Sequence, residues 1–212
     1  MTRGTLRINQ SLITFIASVF VLAMIPGQGT AMVLRQTLLF GSATGALTVI
    51  FYTAGFTLWA LLSAVGLASV FTESPTAYLT LKYIGVAYLL YLSLQGFKQI
   101  STNSSKFDFS KIANDVIATP FKTGITTSLT NVKAAVIAVA FLPAFVPTGF
   151  NLAIGIMILG LIWSITSMSW YLILVFSIGK ASQLFASQRA RNLLTLLSCF
   201  GLLLLALLLA VS

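Results

Sequence analysis

Of the chain's 212 residues, 58% are hydrophobic and only 7% are charged, where a soluble domain carries about 25% charged residues. A mean hydropathy of +1.02 places the chain in a lipid bilayer and leaves no stretch for a separate soluble domain. Twelve Lys and Arg against three Asp and Glu give a net charge of +9. The basic residues stand mostly at the ends of apolar segments, where head groups and insertion rules want them, so nucleic-acid binding is set aside.

The apolar segments, taken in order, predict an all-α integral membrane protein of six transmembrane helices, each span needing about 20 apolar residues. Arg3 and Arg7 ahead of an apolar run imitate a secretory signal peptide. No small-x-small cleavage site follows, so residues 11–25 read as a retained span. Span one continues past a break at Pro26 into a helical tail ending at Phe40. Span two covers residues 45–71, and Glu73-Ser74-Pro75 forms a turn. Span three covers 76–97. The polar stretch 98–119, with Ser101-Thr102-Asn103-Ser104-Ser105, is the only linker-like segment. Span four runs over 120–142 and is ended by Pro143 and Pro147. Spans five and six cover 150–178 and 193–211.

The loop at 99–119 divides a single membrane domain into halves, 1–98 and 120–212. Three spans are an odd number, so the second half starts from the opposite face. That is the arithmetic of a 3+3 inverted repeat. Orientation follows from Lys and Arg in the loops. With both termini outside, Arg35, Lys98, Lys106, Lys111, Lys122, Lys180, Arg189 and Arg191 lie inside, and only Arg3, Arg7 and Lys82 lie outside. The basic N-terminus argues weakly the other way.

Pro26-Gly27-Gln28-Gly29 interrupts span one. Non-helical backbone at membrane depth is tolerated where it is buried in protein or faces water. A new helix start there presents amide N–H groups that favour an anion, and the Gln28 amide both donates and accepts. A plain proline kink is the alternative. Thr130-Asn131-Val132-Lys133 interrupts span four at a comparable position. A lysine within a span costs about 2.5–3.5 kcal/mol, so Lys133 is expected either to serve function or to be paired, unless it snorkels to the interface. Asn131 is expected to cap a helix or bind substrate. In span five, Trp163, Ser164, Thr166, Ser167, Ser169, Trp170 and Tyr171 form a polar, aromatic patch. Close packing suits most of it, while Ser164 and Tyr171 are the candidates to touch a solute. Tyr52, Tyr83, Tyr88 and Tyr91 read as packing or interface belt.

Absent residues narrow the function further. The acids are Glu73, Asp108 and Asp115, none of them expected within a span, so a buried carboxylate relay for protons is unsupported. Histidine is absent and Cys199 is the only cysteine. An intrachain disulfide and a Cys/His metal cluster are excluded, no cofactor is expected, and no nucleophile–base pair suggests an enzyme.

These motifs resemble, in order and over nearly the whole chain, those of the lysine exporter family, which includes homoserine and threonine exporters. Pro26-Gly27-Gln28-Gly29 resembles its Pro-Gly-x-Gly motif. Leu81-Lys82-Tyr83-Ile84-Gly85-Val86-Ala87-Tyr88-Leu89-Leu90-Tyr91-Leu92 is similar to its third span. Phe121-Lys122-Thr123-Gly124 and Thr130-Asn131-Val132-Lys133 resemble its Phe-x-x-Gly and Thr-Asn-Pro-Lys stretches, and Phe141-Leu142-Pro143-Ala144-Phe145 its Phe-x-Pro-x-Phe. The resemblance implies an inner-membrane exporter of amino acids or related metabolites. Val132 stands where the family has proline, which predicts a softer second break. Ser164 stands where many members carry an acid.

The expectation is thus a transporter that binds a small carboxylated metabolite between the two broken spans and exposes it to each side in turn. Its partners are that solute and the lipid bilayer, with homo-oligomerisation left open. The amides after Pro26, with Gln28, would hold the carboxylate. Asn131 and Lys133 would form the opposing wall, and Ser164 and Tyr171 would contact the remainder. The rival readings are a non-transporting membrane subunit, a passive channel, and a thiol–disulfide carrier that a single cysteine nearly excludes.

Overall fold

The computed structural model describes residues 3–25, 27–73, 75–101, 119–147, 149–177 and 187–211. Pro26, most of the linker-like stretch, Lys106, Lys111, Lys180, Asp108 and Asp115 lie outside the described residues. Helices account for nearly all of what is described: α1 (Arg3–Met24), α2 (Gln28–Glu73), α3 (Pro75–Ser101), α4 (Pro120–Leu129), α5 (Val132–Ala144), α6 (Leu152–Phe176) and α7 (Gln188–Val211). No strand occurs among the described residues.

At about 1.5 Å per residue, the 46 residues of α2 outrun a bilayer core of roughly 30 Å. The excess is resolved at Gly41, whose φ of 85° and ψ of 168° lie in a region essentially reserved for glycine. A Cβ there would meet nothing within 4 Å, so glycine is needed for its backbone angles and not for space. The turn separates residues 28–40 from residues 42–73, at the boundary expected after Phe40.

By length and apolarity, Gln28–Gly66 and Leu152–Phe176 each suffice to cross a membrane. α4 and α5, bent by 57° at their junction, add a third crossing if taken as one span. Side chains are distributed as lipid solvent would require. Val65 (72% exposed), Leu94 (65%) and Leu207 (64%) face outward, while Thr48, Ser63, Ser93, Ser128 and Asn131 are buried between helices. Lys82, expected at the outer face, is also buried, in the second turn of α3.

Small residues let the helices approach. Gly124 of α4 lies against the α2 backbone, where a Cβ would fall 2.7 Å from both the Thr48 carbonyl oxygen and the Tyr52 nitrogen. Gly55 faces Ser128, and Gly160 of α6 faces Ala60. The residue 42–73 arm thereby packs on α4 and α6, α3 packs on α7, and α1 packs on α6. Close backbone approach of this kind is how helices associate where lipid removes the hydrophobic drive. Phe15 ties α1 to α5 through Phe141 and Phe145, at ring centroid distances of 6.0 and 5.3 Å.

α5 continues beyond its expected end. Residues Ile137–Phe141 widen into a π-turn, and the Leu142 N–H bonds to the Ile137 carbonyl five residues back. In that register Pro143 would donate to Ala138, but proline has no N–H. The Ser63 hydroxyl donates to the Ala138 carbonyl instead, at 2.7 Å. A neighbouring helix thus repairs the ladder that the proline interrupts, and the helix survives for another turn.

Candidate functional site

The first break separates Met24 from Gln28. Gly27 closes it on the α2 side, its carbonyl accepting from the Ala31 N–H at 2.9 Å. The amides of residues 28–30 then precede the first intrahelical bond, and the last carbonyls of α1 follow its last. The second break needs no proline. Thr130 caps α4, its hydroxyl donating back to the Thr126 carbonyl at 2.8 Å. Asn131 starts α5, its side-chain oxygen accepting from the Lys133 N–H at 3.1 Å. The bend is sharp although Val132 replaces proline, because an Asn cap ends one helix and starts the next as effectively.

Two cross-ties join the breaks. The Gln28 side-chain amide donates to the Thr130 hydroxyl at 3.1 Å on an exposed face. Deeper in, the Lys133 ammonium donates to the Leu22 carbonyl at 3.0 Å. Leu22 lies in the last turn of α1, so its carbonyl has no intrahelical donor and belongs to the negative end of the helix dipole. The lysine expected to be functional or paired is paired with main chain, not with a carboxylate.

A cavity of about 10 Å³ opens beside this contact, lined by Asn131, Lys133, Ser167 and Tyr171 among apolar neighbours from α1, α2, α5 and α6. Its volume admits about one water molecule. One wall is an aromatic stack: Phe56 and Trp163 lie parallel, centroids 4.3 Å apart at 3°. Tyr52 stands edge-on to Phe56 at 4.8 Å and to Tyr171 at 5.4 Å. The Asn131 amide donates to the Tyr52 hydroxyl at 2.8 Å, which orients it. Gly29 makes the cluster possible, since a Cβ there would lie 2.7 Å from Tyr52 Cζ and 2.8 Å from the Tyr171 hydroxyl.

Of the residues expected at a site, Asn131, Lys133 and Tyr171 line the cavity, and Gly29 lies directly behind it. Gly27 and Gln28 are exposed and do not line it. Pro26 falls outside the described residues. Ser164 is buried one turn from the cavity, sharing a 2.9 Å hydrogen bond with Thr57. Its neighbour Ser167, 1% exposed, lines the wall instead, and its hydroxyl has no partner among the described residues. Tyr52, read from sequence as packing, sets the position of Asn131. The Leu22 carbonyl carries no side-chain signal that a sequence could show.

A family model for the LysE type translocator matches residues 20–212. The chain belongs to the LysE type translocator family. Members of this family are transporters and not enzymes, and this protein is a membrane transporter. It is similar to an uncharacterized membrane protein of Bacillus subtilis, YrhP, 28% identical over 180 residues that cover 82% of this chain and 85% of the relative. An uncharacterized membrane protein of Pseudomonas aeruginosa is 29% identical over 168 residues, covering 77% of each chain. One of Vibrio cholerae is 24% identical over 137 residues, covering 63% of this chain and 64% of the relative. No solved structure matches the chain.

Proposed function

We propose that this LysE type translocator exports amino acids or related small carboxylated metabolites by alternating access, through the cavity between its two broken helices. The observation that carries the reading is the Lys133 ammonium, held at the cavity wall on the Leu22 carbonyl. A cation kept within a membrane helix pair, with no carboxylate on the cavity wall, is suited to receive an anionic group. Asn131 stands beside it, and Tyr171 closes the opposite side. Gly29 acts by making room for Tyr52 and Tyr171. Gln28 acts by tying the breaks together across Thr130. Ser164 supports α6 from behind. At about one water's volume the cavity is too small for an amino acid, so a solute is accommodated only as the helices around the breaks separate.

Six spans in a 3+3 inverted repeat fit this reading. The broken pairs α1 with residues 28–40 and α4 with α5 are then counterparts. The arm at residues 42–73 packs on its counterpart α6, and α3 packs on α7. Each broken pair also packs against the second helix of the opposite half, α4 on α2 and α1 on α6, as a two-fold relation requires. We place the protein in the inner (plasma) membrane, as the family resemblance implies, with both termini outside, from the loop distribution of Lys and Arg.

The test is reconstitution in liposomes with a panel of labelled amino acids, with and without an imposed pH gradient. Saturable uptake of at least one solute supports the reading. Uptake that rises without saturation indicates a channel, and no uptake of any solute removes the proposal.

A further inference from the structure

We infer that the cavity is a zwitterion site whose ammonium subsite is the C-terminal end of α1, occupied in this structure by the Lys133 ammonium, and that its solutes are α-amino acids with uncharged, largely apolar side chains. The inference rests on the transport reading above and specifies its substrate class.

The Leu22 carbonyl is one of the last-turn acceptors that α1 leaves unpaired, and the dipole concentrates negative potential there. An ammonium already sits on it at 3.0 Å. A substrate α-ammonium is the same chemical group, with the same three donors. When it takes that carbonyl, Lys133 is released toward the substrate carboxylate. Both charges of the zwitterion are then answered, although no Asp or Glu lines the cavity. The Ser167 hydroxyl, buried and without a partner, faces the same cavity from α6. It is available to accept from the ammonium or donate to the carboxylate.

The apolar part of the wall is Leu22, Ala23, Phe56, Ala134, Ile137 and Trp163, which suits an apolar side chain. A side chain carrying a second positive charge would meet Lys133, the only charged residue on the described wall, with no carboxylate to offset it. Lysine and arginine are thereby disfavoured, although the sequence resembles lysine exporters.

The experiment uses the unaltered protein in liposomes, so folding of a variant is not at issue. The neutral amino acid that gives the strongest saturable uptake serves as tracer. Competitors are its unlabelled form, its deaminated acid, its decarboxylated amine, and lysine. The inference predicts that each of the last three competes about ten- to hundredfold more weakly than the parent, the loss that accompanies one charge-assisted hydrogen bond. If the deaminated acid competes as well as the parent, the ammonium subsite is refuted while carboxylate transport stands. If lysine competes equally, or is the only solute taken up, the neutral specificity is refuted. Absence of saturable uptake for every solute overturns the transport reading itself.

Discussion

Replacing Lys133 by methionine keeps the side-chain stem and removes only the ammonium. The structure allows the two consequences to be separated. Stability loses the hydrogen bond to Leu22 and strands that carbonyl in a low-dielectric setting, costing about 1–3 kcal/mol. Stability also gains, because a lysine within a span is itself unfavourable by about 2.5–3.5 kcal/mol. On central values the gain exceeds the loss by about 1 kcal/mol, so the melting temperature in detergent should hold or rise by a few degrees. Transport has no such compensation. Loss of a charge-assisted partner for the substrate carboxylate should raise KM about ten- to hundredfold. The assay pairs a thermal-unfolding curve with initial uptake rates in liposomes, read over a range of solute concentrations. A variant that melts like the unaltered protein yet transports poorly bears out the reasoning. A variant that keeps both stability and KM would refute it, leaving Lys133 as a mere helix cap.

Gly29→Ala should destabilise by about 1–3 kcal/mol, the cost of overpacking, because its Cβ would fall 2.7 Å from Tyr52 Cζ. Because Tyr52 must move, Asn131 loses its acceptor, so uptake should fall along with the melting temperature; an unchanged thermal curve would count against the tyrosine cluster. Gly41→Ala should cost about 1–3 kcal/mol for a different reason, the φ of 85° that an alanine resists. Ser42→Ala is its control, and equal melting temperatures for the two would contradict the turn.

Both helix breaks were legible in the sequence, for identifiable physical reasons. Pro and paired Gly near Gln28, and a polar Thr-Asn-Val-Lys run inside an apolar span, are local signals, and local signals survive into the fold. The end of the first tail at Phe40 was legible as a boundary, but that Gly41 makes it by a left-handed backbone turn was not. What stayed hidden was position along α6. Ser164 and Ser167, three residues apart, share one buried face, so periodicity could not say which of them reaches a cavity, and Ser167 is the one that lines it. Gly29 reads in the sequence as part of the break that faces the solute, whereas in the fold it leaves space for Tyr52 and Tyr171. The missing proline at Val132 suggested a softer break, but the Asn131 cap and the Thr130 back-bond end α4 without it. The main-chain partner of Lys133 could not be read at all, because every residue has a carbonyl and only the ending of α1 leaves this one unpaired.

The central claim is that the hollow between the two breaks is the place the solute occupies. Ser167→Cys, made in a Cys199→Ala background so that it is the sole thiol, places a reporter on that wall with little change in volume. Liposome-embedded protein would be treated with a small water-soluble thiol reagent, with and without a transported solute at saturating concentration. The account predicts that Cys at 167 is labelled and that the solute slows its labelling severalfold. Labelling at an unchanged rate with the solute present, or no labelling at all during active transport, would contradict it.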